Sequence, residues 1–222
     1  MTTGLRAALL LSVSVFAGAC AGPAAEASRG DLCSPTDTAV NDGHGGPFHE
    51  LYPREKGSLD SSDCSELLSL LREAESFAGQ FPTVAEVTAA GWVERAVYIE
   101  GQGVHFEAPG GTQGPFDPRR PRFLLYDGSE LESRLAGMMF LETGDVPPAG
   151  FPGGNDHWHN HPHLCYSQAR DFVLGEHLGE AQCAAAGGVV VDASRLWMVH
   201  VWLPEYGGHE IADVFNRSHP LL

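Results

Sequence analysis

The chain has 222 residues and carries 13 Lys or Arg against 29 Asp or Glu, which gives a formal net charge of −16 at pH 7. Nucleic acid is therefore excluded as a partner, because affinity for it comes from neutralising phosphates with Lys and Arg. Direct binding to anionic lipid headgroups is disfavoured for the same reason. The balance favours cations as ligands, and the length is sufficient for one sizeable hydrophobic core.

The N-terminus has the organisation of an export signal. A short start containing Arg6 precedes an apolar run at residues 7–19, which is too short to span a bilayer and ends in small residues. The sequence Ala17-Gly18-Ala19 fits ordinary signal cleavage. Together with Cys20 it also resembles a bacterial lipobox, which usually has Leu at the place of Ala17. We expect residues 1–19 to be a signal peptide, so that the mature protein contacts a membrane only through a lipid on Cys20.

Five cysteines are present, at positions 20, 33, 64, 165 and 183. An odd number leaves one thiol without a partner in an exported protein. If Cys20 carries a lipid, the other four can form disulfides in an oxidising compartment. The sequence permits more than one pairing, and we favour the local pairs Cys33–Cys64 and Cys165–Cys183. The odd number of cysteines therefore favours a lipid-anchored protein over a freely secreted one.

Three helices are predicted. The first runs from about Cys64 to Ala78, because Asp63 and Glu66 have the spacing of a capping box and apolar residues then recur on one face. A second, short helix is predicted after Pro82, with Thr83 and Glu86 as its capping box, and Gly91 is expected to end it. The third is predicted around Glu180–Ala186, before two glycines.

Strands are predicted over much of the second half of the chain. Ala96–Glu100 and Val104–Glu107 predict a hairpin through an intervening Gly-Gln-Gly, and Arg122–Tyr126 with Leu131–Leu141 predict a second pair. The clearest predicted strand is Leu196–Leu203, which a proline follows.

These elements predict a single α+β domain over residues 48–222, built on an antiparallel sheet with the helices mostly on one side. Residues 20–47 are small, polar and glycine-rich, and predict a flexible tether between the signal peptide and the domain.

Four of the 11 histidines lie in residues 157–163, which read His-Trp-His-Asn-His-Pro-His. Residues two apart in an extended chain point to the same face, so His157 and His159 can converge, joined by His161, while Trp158 packs on the other side. Pro162 is expected to end the strand. Neutral imidazoles bind Zn(II), Cu(II), Ni(II) and Fe(II), and three of them with an open position make a reactive site.

Two further histidines lie on predicted strands. His200 is inside the apolar strand Leu196–Leu203, and His105 follows two glycines that permit close approach. Both would be buried, and a buried imidazole requires a polar partner. We therefore predict a transition-metal site, with zinc or copper as the expected ion. The expected ligands are His105, His157, His159 and His200, with His161, His163 and Asp156 ranked below them.

Several motifs resemble those of a family of bacterial exported proteins and lipoproteins of uncharacterised function. They are F-P-T-x-A-E at 81–86, G-x-G-x-H-F at 101–106, F-D-P-R-R-P-R-F-L-L-Y at 116–126, L-A-G-M at 135–138, D-H-W-H-N-H at 156–161 and W-M-V-H-V-W-L at 197–203. The resemblance covers roughly residues 81–220. It implies that His105, His157, His159 and His200 recur as a set, and it implies no activity.

Two other patterns are weaker. His209–Asp213 resembles the H-E-x-x-H motif of zinc proteases with Asp in place of the second His, but preceding glycines disfavour the stable helix that this motif needs. An H-x-H with a later histidine on antiparallel strands also resembles cupins. The glutamate that a cupin has a few residues after the H-x-H is missing here.

Three classes of function stay open. The first is an extracytoplasmic metal-binding protein of the cell envelope. The second is a metal-dependent enzyme, a hydrolase or an oxidoreductase, that uses the same histidines. The third is a structural or interaction lipoprotein without a metal. A carboxylate near the metal but not bound to it would indicate the enzyme, and Asp156, Glu107 and Glu210 are the candidates.

We predict that Cys20 is the lipidated first residue of the mature protein. Mass spectrometry of the native protein should show a diacylated or triacylated N-terminal cysteine. Cys20→Ser should move the protein from the detergent phase to the aqueous phase in phase partitioning. A water-soluble wild-type product that begins at an unmodified Cys20 would contradict this prediction.

Overall fold

The computed structural model of the chain describes residues 33, 50–51, 58–111, 115–153, 158–203, 214–215 and 222. The predicted signal peptide, most of the predicted tether, Asp156, His157 and residues 209–213 lie outside these ranges. The described residues form one α+β domain on an antiparallel sheet with short helices, so the predicted fold class is confirmed.

The domain contains eight strands and three helices among its described residues. The strands are β1 (Glu50–Leu51), β2 (Val93–Glu94), β3 (Val104–Glu107), β4 (Phe123–Tyr126), β5 (Leu135–Thr143), β6 (His159–Ser167), β7 (Phe172–Gly175) and β8 (Val189–Trp202). The helices are α1 (Ser61–Ala78), α2 (Val84–Ala89) and α3 (Glu180–Ala185).

The sheet curls until it nearly closes on itself. Its order is β1-β6-β8-β5-β4-β3-β2, all antiparallel, and β7 pairs with β6 on the same edge as β1. The chain beyond β2 then meets β7 in a short parallel bridge. Val97 N–H donates to the carbonyl of Val173 at 3.1 Å, and Val173 N–H donates to the carbonyl of Arg95 at 2.7 Å. We call this bridge the seam.

Each face of the curled sheet packs on a different set of side chains. The outer face carries alternate residues such as Phe106, Leu124 and Val199, and packs on α1 and α2 in the larger of two hydrophobic clusters. The inner face carries a smaller cluster that contains Met198 and Trp202. Because both faces are buried, β8 shows a continuous run of six buried residues at its end instead of an alternation.

Helix α1 begins earlier than the sequence predicts. Asp60 is its N-cap, and the carboxylate accepts hydrogen bonds from the backbone N–H groups of Ser62 and Asp63 at 2.8 and 2.9 Å. The capping box predicted at Asp63 and Glu66 is therefore wrong, since a better cap lies three residues upstream.

The box predicted for α2 is confirmed, because Thr83 N–H donates to the Glu86 carboxylate at 3.1 Å.

The predicted hairpin before His105 is only partly correct. Its turn exists, because Ile99 and Gly103 exchange backbone hydrogen bonds of 3.0 and 2.8 Å. Strand β3, however, pairs with β2 on one edge and β4 on the other, and not with the predicted strand at residues 96–100. Those residues instead lead into the seam with β7, a strand that the sequence pattern did not predict.

Pro162 does not end the histidine strand as expected. Strand β6 continues to Ser167, and the register with β8 shifts between His161 and Leu164, where β6 has one more residue than its partner. Such a bulge tolerates a proline because the local ladder is already interrupted. The bulge also reverses which side chains face inward beyond it.

Two disulfides link the described residues, as predicted. Cys33 bonds to Cys64 of α1, and Cys165 of β6 bonds to Cys183 of α3. Cys33 lies in the predicted tether, yet it is buried and its carbonyl accepts a hydrogen bond from Leu59 N–H at 2.9 Å. The disulfides indicate an oxidising, extracytoplasmic environment. Within the described part of the chain, no helix is long and apolar enough to span a membrane.

Gly103 permits the close approach that places β3 beside β4. Its φ is +70°, and a Cβ at this position would lie 2.1 Å from the carbonyl oxygen of Tyr126. Gly110 has a similar φ of +73°, but no described atom lies within 4 Å of its Cβ position. Both glycines thus adopt a positive φ, but only at Gly103 would a Cβ collide with a neighbouring strand.

We predict that Gly103→Ala destabilises the protein more than Gly110→Ala. Both variants incur the cost of a positive φ, about 1–2 kcal/mol, and Gly103→Ala adds about 1–3 kcal/mol because the β3–β4 backbone must shift. Urea unfolding of both variants measures the difference. Equal losses of unfolding free energy would show that the contact with Tyr126 does not constrain the strand.

Candidate metal centre

Three strands bring four histidines into one cluster inside the curled sheet. His105 comes from β3, His159 and His161 come from β6, and His200 comes from β8. All four are buried, with side chains 0–5% exposed. Strand register explains the meeting, because β8 lies between β6 and β5 and its inward side chains face the inward side chains of β3 across the curled sheet.

The rings pack against one another. The ring centroids of His159 and His161 are 5.3 Å apart, those of His159 and His200 are 5.3 Å apart, and those of His105 and His200 are 6.3 Å apart. The structure therefore brings together His105, His159 and His200, which the sequence selected from segments nearly a hundred residues apart. His157, the fourth predicted ligand, lies outside the described residues, as does Asp156.

His161 belongs to the cluster although it was ranked below the four expected ligands. It is fully buried, and its Nε2 lies 3.5 Å from a carboxylate oxygen of Glu176. His163, by contrast, is exposed and does not share this interior. The bulge at Pro162 separates the two, because it ends the alternation that would have placed His163 on the same face as His161.

A buried carboxylate lies beside the histidines. Glu176 follows β7 directly and its side chain is 5% exposed. Gln102 Nε2 donates to its Oε2 at 2.8 Å, and Gln102 is itself fully buried. Sequence reasoning missed both residues, since Glu176 follows a strand that was not predicted and Gln102 was assigned to a turn. The carboxylate candidate Glu107 instead forms ion pairs with Arg95 and Arg122.

Burial keeps His105 neutral. Desolvation in the apolar interior lowers its pKa to about 4, an effect that the negative charge of Glu176 only partly offsets. Among the described residues, no hydrogen-bond partner reaches its Nδ1. The uncharged imidazole is the form that binds transition metals.

Apolar side chains surround the cluster. Trp202 stacks on the His200 ring with centroids 5.4 Å apart. Met139 lies directly across from His200 in the β5–β8 register, and Met198 lies across from His159 in the β6–β8 register. Side chains that are opposite in an antiparallel pair share a face and lie close together. Two thioethers therefore border the histidine cluster.

The cluster forms part of the wall of a cavity of about 770 Å³ that opens to solvent. His105, His161 and Glu176 contribute to the lining. Apolar residues form much of the rest, and charged residues from β3, β5 and the seam add to it. The arrangement can thus admit a small molecule to buried nitrogen and oxygen donors.

In the described ranges, no three His, Cys, Asp or Glu side chains are already placed closely enough to hold an ion. Imidazoles that share one tetrahedral metal, with bonds of about 2 Å, have ring centroids roughly 5 Å apart. The separations of 5.3 and 6.3 Å approach this value.

No family model matches the chain, and no curated protein and no solved structure matches it either. The fold and the geometry of the cluster therefore carry the functional argument.

We predict that His105 makes the stability of the metal-free protein depend on pH. Its pKa is lower in the folded state than the ordinary value of about 6.5, so the unfolded chain binds the proton more readily. The contribution of His105 to the free energy of unfolding is therefore fully present above pH 6.5. It falls by about 3 kcal/mol as the pH decreases towards 4. Urea unfolding with EDTA at several pH values, for wild type and His105→Gln, measures this contribution.

His163→Gln is the control, because it removes an exposed histidine from the same region. It should retain the full pH dependence, whereas His105→Gln should lose about 3 kcal/mol of it. If His105→Gln and wild type lose stability in parallel on acidification, His105 is not held neutral by burial.

Proposed function

We propose that this protein is an exported, lipid-anchored protein of the cell envelope that binds one divalent transition metal through His105, His159 and His200, with His161 beside them. The observation that carries the proposal is the cluster of four buried imidazoles supplied by three strands. Its location outside the cytoplasm is supported by the two disulfides. The lipid on Cys20 is the anchor that we propose.

The burial of these groups supports a ligand role. Transferring several polar rings and a carboxylate out of water is unfavourable unless they interact with each other or with a ligand. A hydrophobic strand position such as residue 200 would be filled at lower cost by Leu or Val. A metal ion would bind several of the ring nitrogens at once, and Glu176 would offset part of its positive charge.

Zinc and copper both fit imidazole ligands, and the neighbouring thioethers favour copper. Met139 and Met198 lie opposite two of the histidines in the strand register. Thioether sulfur is a copper ligand, both in Cu(I) sites and as the weak axial ligand of blue-copper sites, whereas zinc does not require it. Copper is therefore the ion that we propose first, and zinc the second.

A metal-dependent enzyme is the second candidate function. The observation that favours it is the open cavity above the histidines, together with a carboxylate next to them. In such an enzyme the metal would polarise a bound water or substrate. Glu176 could hold or accept a proton at its Oε1, while Gln102 fixes the orientation of the carboxylate through Oε2.

The proposal is tested by metal binding to protein purified without an affinity tag. After EDTA treatment and dialysis, wild type should bind about one equivalent of Cu or Zn by elemental analysis. The variant His159→Gln/His200→Gln should lose more than about 100-fold in affinity, which exceeds the usual effect of removing an outer-shell group. Circular dichroism verifies that each variant is folded.

The matched control is His163→Gln/His177→Gln, which removes two exposed histidines from the same half of the chain. It should bind metal like wild type. If the control loses the metal and His159→Gln/His200→Gln retains it, binding occurs at surface histidines and the proposed centre is wrong. If wild type binds neither metal, the structural or interaction class becomes the better description.

A further inference from the structure

The space above the histidines is larger than an ion requires. A bound metal with one or two waters occupies well under 100 Å³, since each water takes about 30 Å³. The cavity has a volume of about 770 Å³, which lies in the usual range of roughly 300–1,000 Å³ for small organic ligands. A protein that only stores an ion has no use for this volume.

The walls of the cavity are largely apolar. Leu141, Leu164 and Leu196 come from three different strands and are only half-buried although they face inward. Phe123 and Met198 extend the same lining towards the histidines. Partly exposed apolar side chains in a concave interior gain free energy when an apolar ligand covers them.

The buried polar groups of the lining lie together, whereas its other polar residues are partly or fully exposed. His105, His161 and Glu176 can each accept or donate a hydrogen bond to one end of a ligand. A mainly apolar concave surface with convergent polar atoms at its buried end is typical of a specific ligand pocket.

The charges in the lining disfavour an anion. The described lining includes five carboxylates, from Glu107, Glu142, Asp171, Glu176 and Asp192, and two guanidinium groups. Both guanidiniums are already in ion pairs. Arg95 lies 2.8 Å from Glu107 and 2.9 Å from Asp171, and Arg122 lies 2.5 Å from Glu107. A divalent ion would reduce this negative excess without reversing it.

We infer that the cavity binds a small, mainly apolar organic molecule that is neutral or positively charged, with its polar end at His105, His161 and Glu176. The inference rests on the proposed function in one respect, because the molecule would occupy the open side of the proposed metal centre. It also goes further, since it assigns the chemical class of ligand that an enzyme or a carrier at this site would accept.

The test uses three probes of equal size and different charge. They are 2-naphthalenemethanol, protonated 2-naphthylmethylamine and 2-naphthoate, titrated at pH 7 into metal-free protein and followed by ligand-observed NMR. The alcohol and the amine should bind with dissociation constants of about 1 mM or lower, as ligands of this size can. The naphthoate should bind at least about tenfold more weakly, because like charges meet in the cavity.

Leu196→Trp should block the cavity and reduce binding of the alcohol by about tenfold or more, since the added ring takes up ligand space. Leu164→Trp does the same from another strand and serves if the first variant does not fold. The control is Leu131→Trp, at a side chain that is 59% exposed and outside the lining. It should bind the probes like wild type.

Elemental analysis of Leu196→Trp separates this inference from the proposed function. Retained metal binding with lost probe binding supports both. If none of the probes saturates, if 2-naphthoate binds as well as the amine, or if neither tryptophan variant weakens binding, the inference is overturned whatever the metal content. If wild type binds no metal, only the proposed function is overturned.

Discussion

The pairing of β6 with β8 is the contact on which the site depends. It sets His159 opposite Met198, two residues before His200, so that imidazoles from two strands share the inner face. Strand β5, on the other edge of β8, adds Met139 beside His200. Because the sheet curls, β3 then faces this pair across the interior, and His105 lies 6.3 Å from His200 between ring centroids. A one-residue slip of β8 would turn its histidine outward into the packed helices.

Both faces of the sheet are buried, so a polar residue within one of its apolar strands is conspicuous in the sequence. His105 and His200 were recognisable because each is a polar residue in a short apolar run, and such a residue needs a partner when it is buried. The disulfides followed from cysteine parity and spacing. Helix α2 followed from its capping box and its terminal glycine. In each case, the determining interaction is local or compositional, so it is visible without knowledge of the fold.

Other features depend on contacts between distant segments and left no local pattern. Glu176 follows a four-residue strand whose pairing with β6 is only three residue pairs long, and its neighbour Gln102 lies 74 residues away. Pro162 suggested a strand end, because an isolated sequence does not show that β8 accommodates a bulge there. The same bulge determines that Leu164 lines the cavity while Cys165 points to α3. The lower rank given to His161 followed from the same missing information.

The seam between β7 and residues 95–97 also bears on motion. In the described part of the chain it comprises two backbone hydrogen bonds, at Val97 and Val173. Arg95 adds an ion pair of 2.9 Å with the Asp171 carboxylate and a hydrogen bond of 3.4 Å to the Asp171 carbonyl. Segments held by so few contacts open at a lower free energy than the long ladders between β5, β6 and β8. Glu176 follows β7, which stays paired with β6, so opening there would leave the carboxylate beside His161 and break its hydrogen bond with Gln102. We expect the curled sheet to open transiently at this seam, which borders the cavity, so that access to the cavity is coupled to the hydrogen bond between Gln102 and Glu176.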